Sequence, residues 1–172
     1  MVNRVFEENN EHQQEKLFSP VKDLSTGIDK KLQNHWSTHF YQYIFTQIDE
    51  TKFGRLYHDG YSRPNKPVNE LVSLEIIKHL LDLSDEELEY AYIFDFRVRN
   101  ALGKETLGDN ICEKTFTNFR RRLMEHEEET GQDLLHEVFE DHRSYFQEEF
   151  EIDASMQRMD STFIEANIKQ LS

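Results

Sequence analysis

The chain has 172 residues, of which 37% are hydrophobic and 31% charged, and its 13 Phe and 7 Tyr are too many for a disordered chain. It contains no run of about 18 apolar residues that would span a membrane, and its first residues lack the apolar core of a signal peptide. The only cysteine, Cys112, cannot form a disulfide within the chain. We therefore expect a folded cytoplasmic protein with no membrane partner.

The formal net charge of −14 argues, taken as a whole, against a nucleic-acid partner, because DNA phosphates repel an acidic surface. The acidity is concentrated at one end of the chain. Residues 123–172 carry 3 basic and 14 acidic side chains, whereas residues 55–122 carry 11 basic and 12 acidic ones. A local basic surface in the middle third is therefore compatible with the overall charge.

The first predicted elements are a polar lead, a helix and a loop. Residues 1–24 form the lead, and residues 25–152 are predicted to form one helical domain. Apolar residues three and four positions apart predict the first helix of this domain, namely Ile28, Leu32, Trp36, Phe40 and Tyr43. The stretch FGRLYHDGYSRPNKP then concentrates Gly and Pro, which predicts a loop from Phe53 to Pro67.

Two helices joined by a short turn are predicted next. Pro67 suits the first turn of a helix, where its missing N–H costs nothing. The apolar stripe of that helix is Leu71, Leu74, Ile77 and Leu81. Ser84, with Glu87 three residues later, forms a capping box that opens the following helix.

The helix predicted to open near Glu113 has a defined orientation. Its inner face consists of Phe116, Phe119 and Leu123. Because side chains three and four positions apart share a face, other residues must lie on or beside the solvent-facing side, namely Lys114, Asn118, Arg121 and Arg122. The sequence therefore predicts an outward basic surface on this helix.

The last predicted elements follow Gly131. A long helix carries Leu134, Leu135, Val138, Phe139, His142, Tyr145 and Phe146. Residues 156–166 are the only strand-like segment. The predicted fold is all-α: a multi-helix bundle with a helix-turn-helix-like unit and a short strand-like C-terminal tail.

The basic helix has two interpretations. A helix-turn-helix places its last helix in the major groove of DNA, where Arg contacts guanine edges or phosphates and Asn contacts adenine. The candidate DNA-binding residues are Lys114, Asn118, Arg120, Arg121 and Arg122. The alternative is a solvated, salt-bridged helix surface, since EHEEE follows one turn downstream.

Three blocks of the sequence resemble a known family. They are RPNKPVNELVSLEIIKHLLDLSDEELEYAYIFDFRVRNALG, TFTNFRRRL and QRMDSTFIEANIK. In order and spacing they are similar to the front end of bacterial insertion-sequence transposases of the DDE class, over roughly residues 40–172. The resemblance implies a helical domain that recognises double-stranded DNA at the terminal inverted repeats of the element. A ribonuclease-H-like catalytic domain would follow it.

The same resemblance identifies Asp160 as the first catalytic carboxylate of that domain, and residues 153–172 as its truncated start. Phosphoryl transfer of this kind uses two divalent metals held by several carboxylates, so Mg²⁺ or Mn²⁺ is implied for the full-length family. Asp160 would be a metal ligand only in a complete catalytic domain. We therefore expect this chain alone to be inactive and to need no cofactor.

A different class of function stays open. The acidic balance of residues 123–172 and the aromatic content of the last helix favour a non-catalytic interaction or regulatory fragment. Such a fragment would associate with itself, as a homodimer, or with full-length transposase. Salt-dependent binding to inverted-repeat DNA separates the two hypotheses.

Overall fold

The computed structural model describes residues 6–10, 25–57, 65–104 and 110–151. In these ranges the chain forms α-helices and short 3-10 helices and no strand, which confirms the all-α fold class. The α-helices are α1 (Thr26–Gln33), α2 (Trp36–Tyr43), α3 (Val68–Leu81), α4 (Asp85–Phe94), α5 (Phe96–Ala101), α6 (Glu113–Thr130) and α7 (Leu134–Glu149). Two 3-10 helices, Phe45–Gln47 and Glu50–Leu56, follow α2. The predicted strand-like tail lies outside the described residues.

Helix α3 lies at the centre of the bundle. Every residue from Val68 to Glu75 is buried, together with Ile77, so the first half of this helix is enclosed on all sides. The predicted stripe is confirmed at Leu71, Leu74 and Ile77. None of the helices within the described ranges is long and apolar enough to cross a membrane.

Polar side chains on α3 connect it to its neighbours. The carboxylate of Glu70 accepts a hydrogen bond of 2.9 Å from the Tyr92 hydroxyl and lies 2.6 Å from the Lys104 ammonium. Pro67 cannot cap α3 through its side chain, and the buried Glu50 carboxylate instead accepts from the Asn69 N–H at 2.7 Å. A carboxylate at this position is favoured by the helix dipole.

Part of the polar lead packs on the helical body. The Asn9 side chain donates to the Asn69 amide oxygen at 3.1 Å, and the Asn9 N–H donates to Glu50. The Phe6 ring lies 5.5 Å from the Tyr57 ring, centroid to centroid. Residues 6–10 therefore cover the 3-10 helix Glu50–Leu56 and the start of α3.

The single helix predicted from Ile28 to Tyr43 is wrong, because the chain breaks between α1 and α2. His35 adopts an extended backbone, with ψ of 146°, and its Nδ1 accepts from the Ser37 N–H at 3.3 Å. The side chain thus caps α2 and competes with continuation of α1. Helix α1 buries no residue, and Ile28 is 52% exposed.

The loop predicted to start at Phe53 is also corrected. Phe53 and Leu56 belong to a 3-10 helix, and Phe53 is fully buried, with its ring centroid 6.3 Å from that of Phe119. Gly54 does not end the element. Gly54 packs against the Phe6 ring, which a Cβ would meet at an ordinary contact distance of 3.4 Å.

Several predicted boundaries are confirmed. Ser84 and Glu87 form both hydrogen bonds of the capping box at the start of α4. These bonds hold the pKa of Glu87 below its usual value. Gly131 ends α6 in the left-handed conformation, with φ of 71°, where glycine is favoured because it has no Cβ.

Helix α7 buries less than its sequence predicts. Leu134, Val138 and His142 are buried, and the two ring nitrogens of His142 lie 2.8 and 3.0 Å from the carbonyl oxygens of Val138 and Ile44. Leu135 and Phe139, predicted for the same apolar stripe, are 37% and 61% exposed. The helix therefore packs through one narrow face.

The corrected position of Phe53 is open to test. Phe53→Ala should reduce the free energy of unfolding by about 3–5 kcal/mol, because it opens a cavity in a packed core. Phe139→Ala removes the same atoms from an exposed site and should change the free energy of unfolding by less than about 0.5 kcal/mol. Urea unfolding followed by circular dichroism measures both. Equal effects of the two changes would contradict the burial of Phe53.

Candidate nucleic-acid interface

Helix α6 carries all the candidate DNA-binding residues, and its first half is anchored in the core. Phe116 and Phe119 are buried, and Leu123 packs against the core from a half-buried position. The N–H of Glu113, in the first turn, donates to the Glu89 carboxylate of α4 at 3.0 Å. A carboxylate already occupies the N-terminus of the helix, so a nucleic acid would have to meet side chains on its flank.

The three consecutive arginines of α6 point in three directions. An α-helix turns by about 100° per residue, so Arg120, Arg121 and Arg122 cannot share a face. Arg121 is exposed, whereas Arg120 and Arg122 are half-buried on the two sides of the Phe116 and Phe119 stripe. The three arginines therefore face different neighbours.

Arg120 joins three helices. Its Nε donates to Glu75 of α3 at 2.9 Å, and its Nη1 and Nη2 donate to the two carboxylate oxygens of Asp85 of α4, each at 2.7 Å. Lys78 lies 2.7 Å from the same Asp85 carboxylate. The guanidinium is committed to carboxylates inside the protein, so we leave Arg120 out of the DNA contacts proposed below.

These hydrogen bonds change the protonation of the pair. Those from Arg120 hold the pKa of Asp85 far below its usual range, with a further contribution from Lys78 and partial opposition from burial. The bonds to Asp85 likewise raise the pKa of Arg120. Two parallel N–H···O bonds also fix the relative orientation of guanidinium and carboxylate.

Lys114, Asn118 and Arg121 form one stripe on the outer side of α6. They occupy positions i, i+4 and i+7, which lie on the same face of a helix. Lys114 is exposed and forms no ion pair with any residue that the structure describes. Arg121 is 57% exposed and pairs with Glu125 one turn later at 2.6 Å. We call these three residues the outer stripe.

Arg122 flanks the outer stripe and packs on an aromatic ring. Its guanidinium carbon lies 4.6 Å from the centroid of the Tyr57 ring, within the range of a cation–π interaction. Burial raises the pKa of the Tyr57 hydroxyl, and the nearby Arg122 partly opposes that rise. Sequence reasoning missed Tyr57 because it placed this residue in a loop, where no periodicity indicated its partner.

Arg55 is a second residue that the sequence did not indicate. It lies on the 3-10 helix Glu50–Leu56, and its Nη1 donates to the amide oxygen of Gln132 at 2.6 Å. Because Gln132 is uncharged, the charge of Arg55 is not neutralised by this partner. The surroundings become acidic toward the end of α6, where Glu125, Glu127, Glu128 and Glu129 are all exposed. The basic part of the helix is thus confined to its first half.

Asp160, the candidate catalytic carboxylate and metal ligand, lies outside the described residues. Among the residues that are described, no three His, Cys, Asp or Glu side chains are grouped to hold a metal ion. The described residues therefore give no geometry for catalysis.

Comparison with known proteins gives one match. A family model described as a transposase domain (DUF772) matches residues 29–122. The matched region runs from α1 to the middle of α6 and ends at Arg122, so it contains the outer stripe and its flanking arginines. None of the curated proteins and none of the solved structures matches the chain.

The Asp85 and Arg120 pair should appear in acid unfolding. Because the folded-state pKa of Asp85 is lowered, its contribution to stability is present above the unfolded value of about 3.9 and is lost as pH falls toward the folded value. Asp85→Asn should therefore destabilise the protein most above about pH 4, and the difference from wild type should shrink in stronger acid. Urea midpoints from pH 7 to pH 2 measure this.

The matched control is Glu128→Gln, which neutralises an exposed carboxylate on α6. It should leave the shape of the pH profile close to that of the wild type. A difference between Asp85→Asn and wild type that stays constant down to pH 2 would show that the carboxylate is not held charged by Arg120.

Proposed function

The chain belongs to the transposase-domain family DUF772, and we propose that its helical domain binds double-stranded DNA at the terminal inverted repeats of an insertion sequence. The contact is made by the outer stripe of α6, with Arg122 at its edge. The parent protein is a bacterial transposase of the DDE class that acts in the cytoplasm, and the described helices supply its DNA recognition. The supporting observation is one face of an anchored helix on which Lys114 and Arg121 are exposed and Asn118, between them, is half-buried.

The dimensions of the outer stripe suit a major groove. Lys114 and Arg121 are seven residues apart, or about 10 Å along the helix axis. The major groove of B-DNA is about 12 Å wide. The two cations can therefore reach phosphates at the sides of the groove, while Asn118 between them faces the base edges, where its amide can pair with adenine.

The charge distribution favours one position of the DNA. The first half of α6 offers Lys114, Arg121 and Arg122, whereas four exposed glutamates follow in its second half. A phosphate backbone is attracted to the first and repelled by the second. The duplex would thus lie across the start of α6 and away from α7.

We assign catalysis to a domain other than the described helices. In a complete catalytic domain of this class, Asp160 would be one of the carboxylates that hold Mg²⁺ or Mn²⁺, and the metals would stabilise the attacking and leaving oxygens of the phosphoryl transfer. A single carboxylate does not make such a site. The role we propose for the described residues is therefore the binding of DNA, without metal.

A second candidate function follows from the exposed aromatic residues of the last helix. Phe139 and Phe150 are 61% and 50% exposed in a region that is strongly acidic. A non-catalytic or regulatory fragment would use them to bind a second copy or a full-length transposase. Such binding would weaken in the Phe139→Ala variant and would persist without DNA, and sedimentation velocity measures it.

The phosphate contacts of the outer stripe can be counted. Replacing both Lys114 and Arg121 by alanine should weaken binding to every duplex and lower the magnitude of the slope of log K against log salt by about 1.8, at about 0.9 per contact. Fluorescence anisotropy with the inverted repeats that flank the coding sequence, and with random duplex, measures it across a salt series.

A matched control removes one lysine and one arginine from helices other than α6. Lys31 is an exposed lysine on α1, and Arg143 on α7 pairs with Glu140 much as Arg121 pairs with Glu125. Replacing Lys31 and Arg143 by alanine should leave the slope unchanged within about 0.3. If both double variants lower the slope equally, only general charge matters and the outer stripe is not the interface.

Asn118 should affect sequence preference and not general affinity. Asn118→Ala should cost about 1–3 kcal/mol on the inverted repeat, because an adenine edge loses its bidentate partner. On random duplex the change should be close to zero, since no phosphate contact is removed. The same anisotropy titrations measure both, and an equal loss on the two duplexes would rule out base recognition by this residue.

A further inference from the structure

We propose that Tyr57 is a positioning residue for DNA binding: its ring holds the Arg122 guanidinium at the edge of the outer stripe, ready to meet a phosphate. This inference rests on the proposed function and adds a residue from outside α6 to it. It concerns how the arginine is held before DNA arrives.

The three arginines of α6 differ in the groups that they contact. Arg120 and Arg121 each pair with carboxylates, whereas Arg122 forms no ion pair with any residue in the described ranges. It packs instead on the Tyr57 ring, at 4.6 Å from the centroid. A cation–π contact orders the side chain without neutralising its charge. Arg122 therefore keeps its full charge for an incoming anion.

The Tyr57 hydroxyl carries no charge at physiological pH, as is usual for tyrosine, and burial raises its pKa further. It therefore offers Arg122 no opposing charge. A nearby carboxylate would compete with a DNA phosphate for the guanidinium. A neutral tyrosine does not, because its hydroxyl accepts a hydrogen bond from the guanidinium without bringing a charge. It can therefore hold the arginine in place while the remaining N–H groups of the guanidinium stay available for phosphate oxygens.

The Tyr57 ring is held rigidly by its neighbours. Tyr57 directly follows the 3-10 helix that buries Phe53 and Leu56 in the core. The Phe6 ring also packs against Tyr57, at 5.5 Å between centroids. The ring is therefore braced from the core and from the N-terminal segment. An arginine held on such a support loses less conformational freedom on binding, which strengthens the contact without adding a new one.

A double-mutant cycle in the whole chain tests the proposal, with the inverted-repeat duplex as probe. Arg122→Gln should weaken binding and lower the salt slope by about 0.9, as expected for one lost phosphate contact. Tyr57→Leu should weaken binding several-fold with the salt slope unchanged, because the contact still forms but from a disordered arginine. In the Arg122→Gln background, Tyr57→Leu should have little further effect.

Two further variants separate positioning from general structure. Tyr57→Phe keeps the ring and should bind like the wild type. Arg122→Lys keeps the charge but not the planar guanidinium, and should lose affinity with an unchanged slope. If Tyr57→Leu proves too unstable to measure, as judged by its urea midpoint, an Arg122→Lys variant that binds like the wild type would contradict the inference.

Two results would overturn the inference. One is an equal loss of affinity from Tyr57→Leu in both backgrounds, which is the mark of a merely structural residue. The other is an Arg122→Gln variant with unchanged affinity and slope. If the Lys114 and Arg121 double variant lowers the slope while Arg122→Gln does not, the proposed function stands and this inference fails. If neither lowers the slope, both fail.

Discussion

The orientation of α6 depends on the ion pairs of Arg120. The 18-residue helix buries two phenylalanines on its inner side, and these alone leave it some freedom to rotate about its axis. The bidentate bond to Asp85 and the bond to Glu75 remove this freedom on one flank, and the packing of Arg122 on Tyr57 does so on the other. The residues left facing outward are then determined by helical geometry alone.

The partners of Arg120 are in turn positioned by α3. This helix carries polar side chains through a region that is buried on all sides, and they bind different elements. The Asn69 side chain accepts from Asn9, Glu70 binds Tyr92 and Lys104, and Glu75 binds Arg120. A buried polar group without its partner is costly, so a shift of α3 by one residue would break all of these bonds together. The polar residues of α3 thus set its register against the N-terminal segment, α4 and α6.

Much of this arrangement could be predicted from local sequence. The orientation of α6 follows from Phe116, Phe119 and Leu123, and the start of α4 follows from the Ser84 capping box, because each signal lies within one or two helical turns. The break at His35 could not be predicted by the same means. An apolar stripe continues across it, and a histidine cap is not among the usual N-terminal signals.

The contacts of the individual arginines could be identified only from the three-dimensional structure. Arg120 meets Asp85, which is 35 residues away, and Arg122 meets Tyr57, which follows a 3-10 helix without the 3.6-residue period that sequence reasoning detects. The periodicity of α6 correctly separates its inner from its outer side. It carries no information on which neighbouring element lies beside each flank. That information distinguishes an arginine bound to carboxylates inside the fold from one on the outer surface.

An acidic chain and a DNA partner are compatible because charge acts over a limited distance. Glu128 lies about 21 Å along the helix from Lys114, which is about two Debye lengths at 0.1 M salt. At physiological salt the glutamates of α6 are therefore largely screened from the start of the helix. At lower salt their repulsion of the duplex grows together with the attraction of the lysine and arginines. The total salt dependence of binding should then be smaller than the number of phosphate contacts implies, whereas the difference between two variants still reports the contacts removed, because the distant acidic charges are common to both.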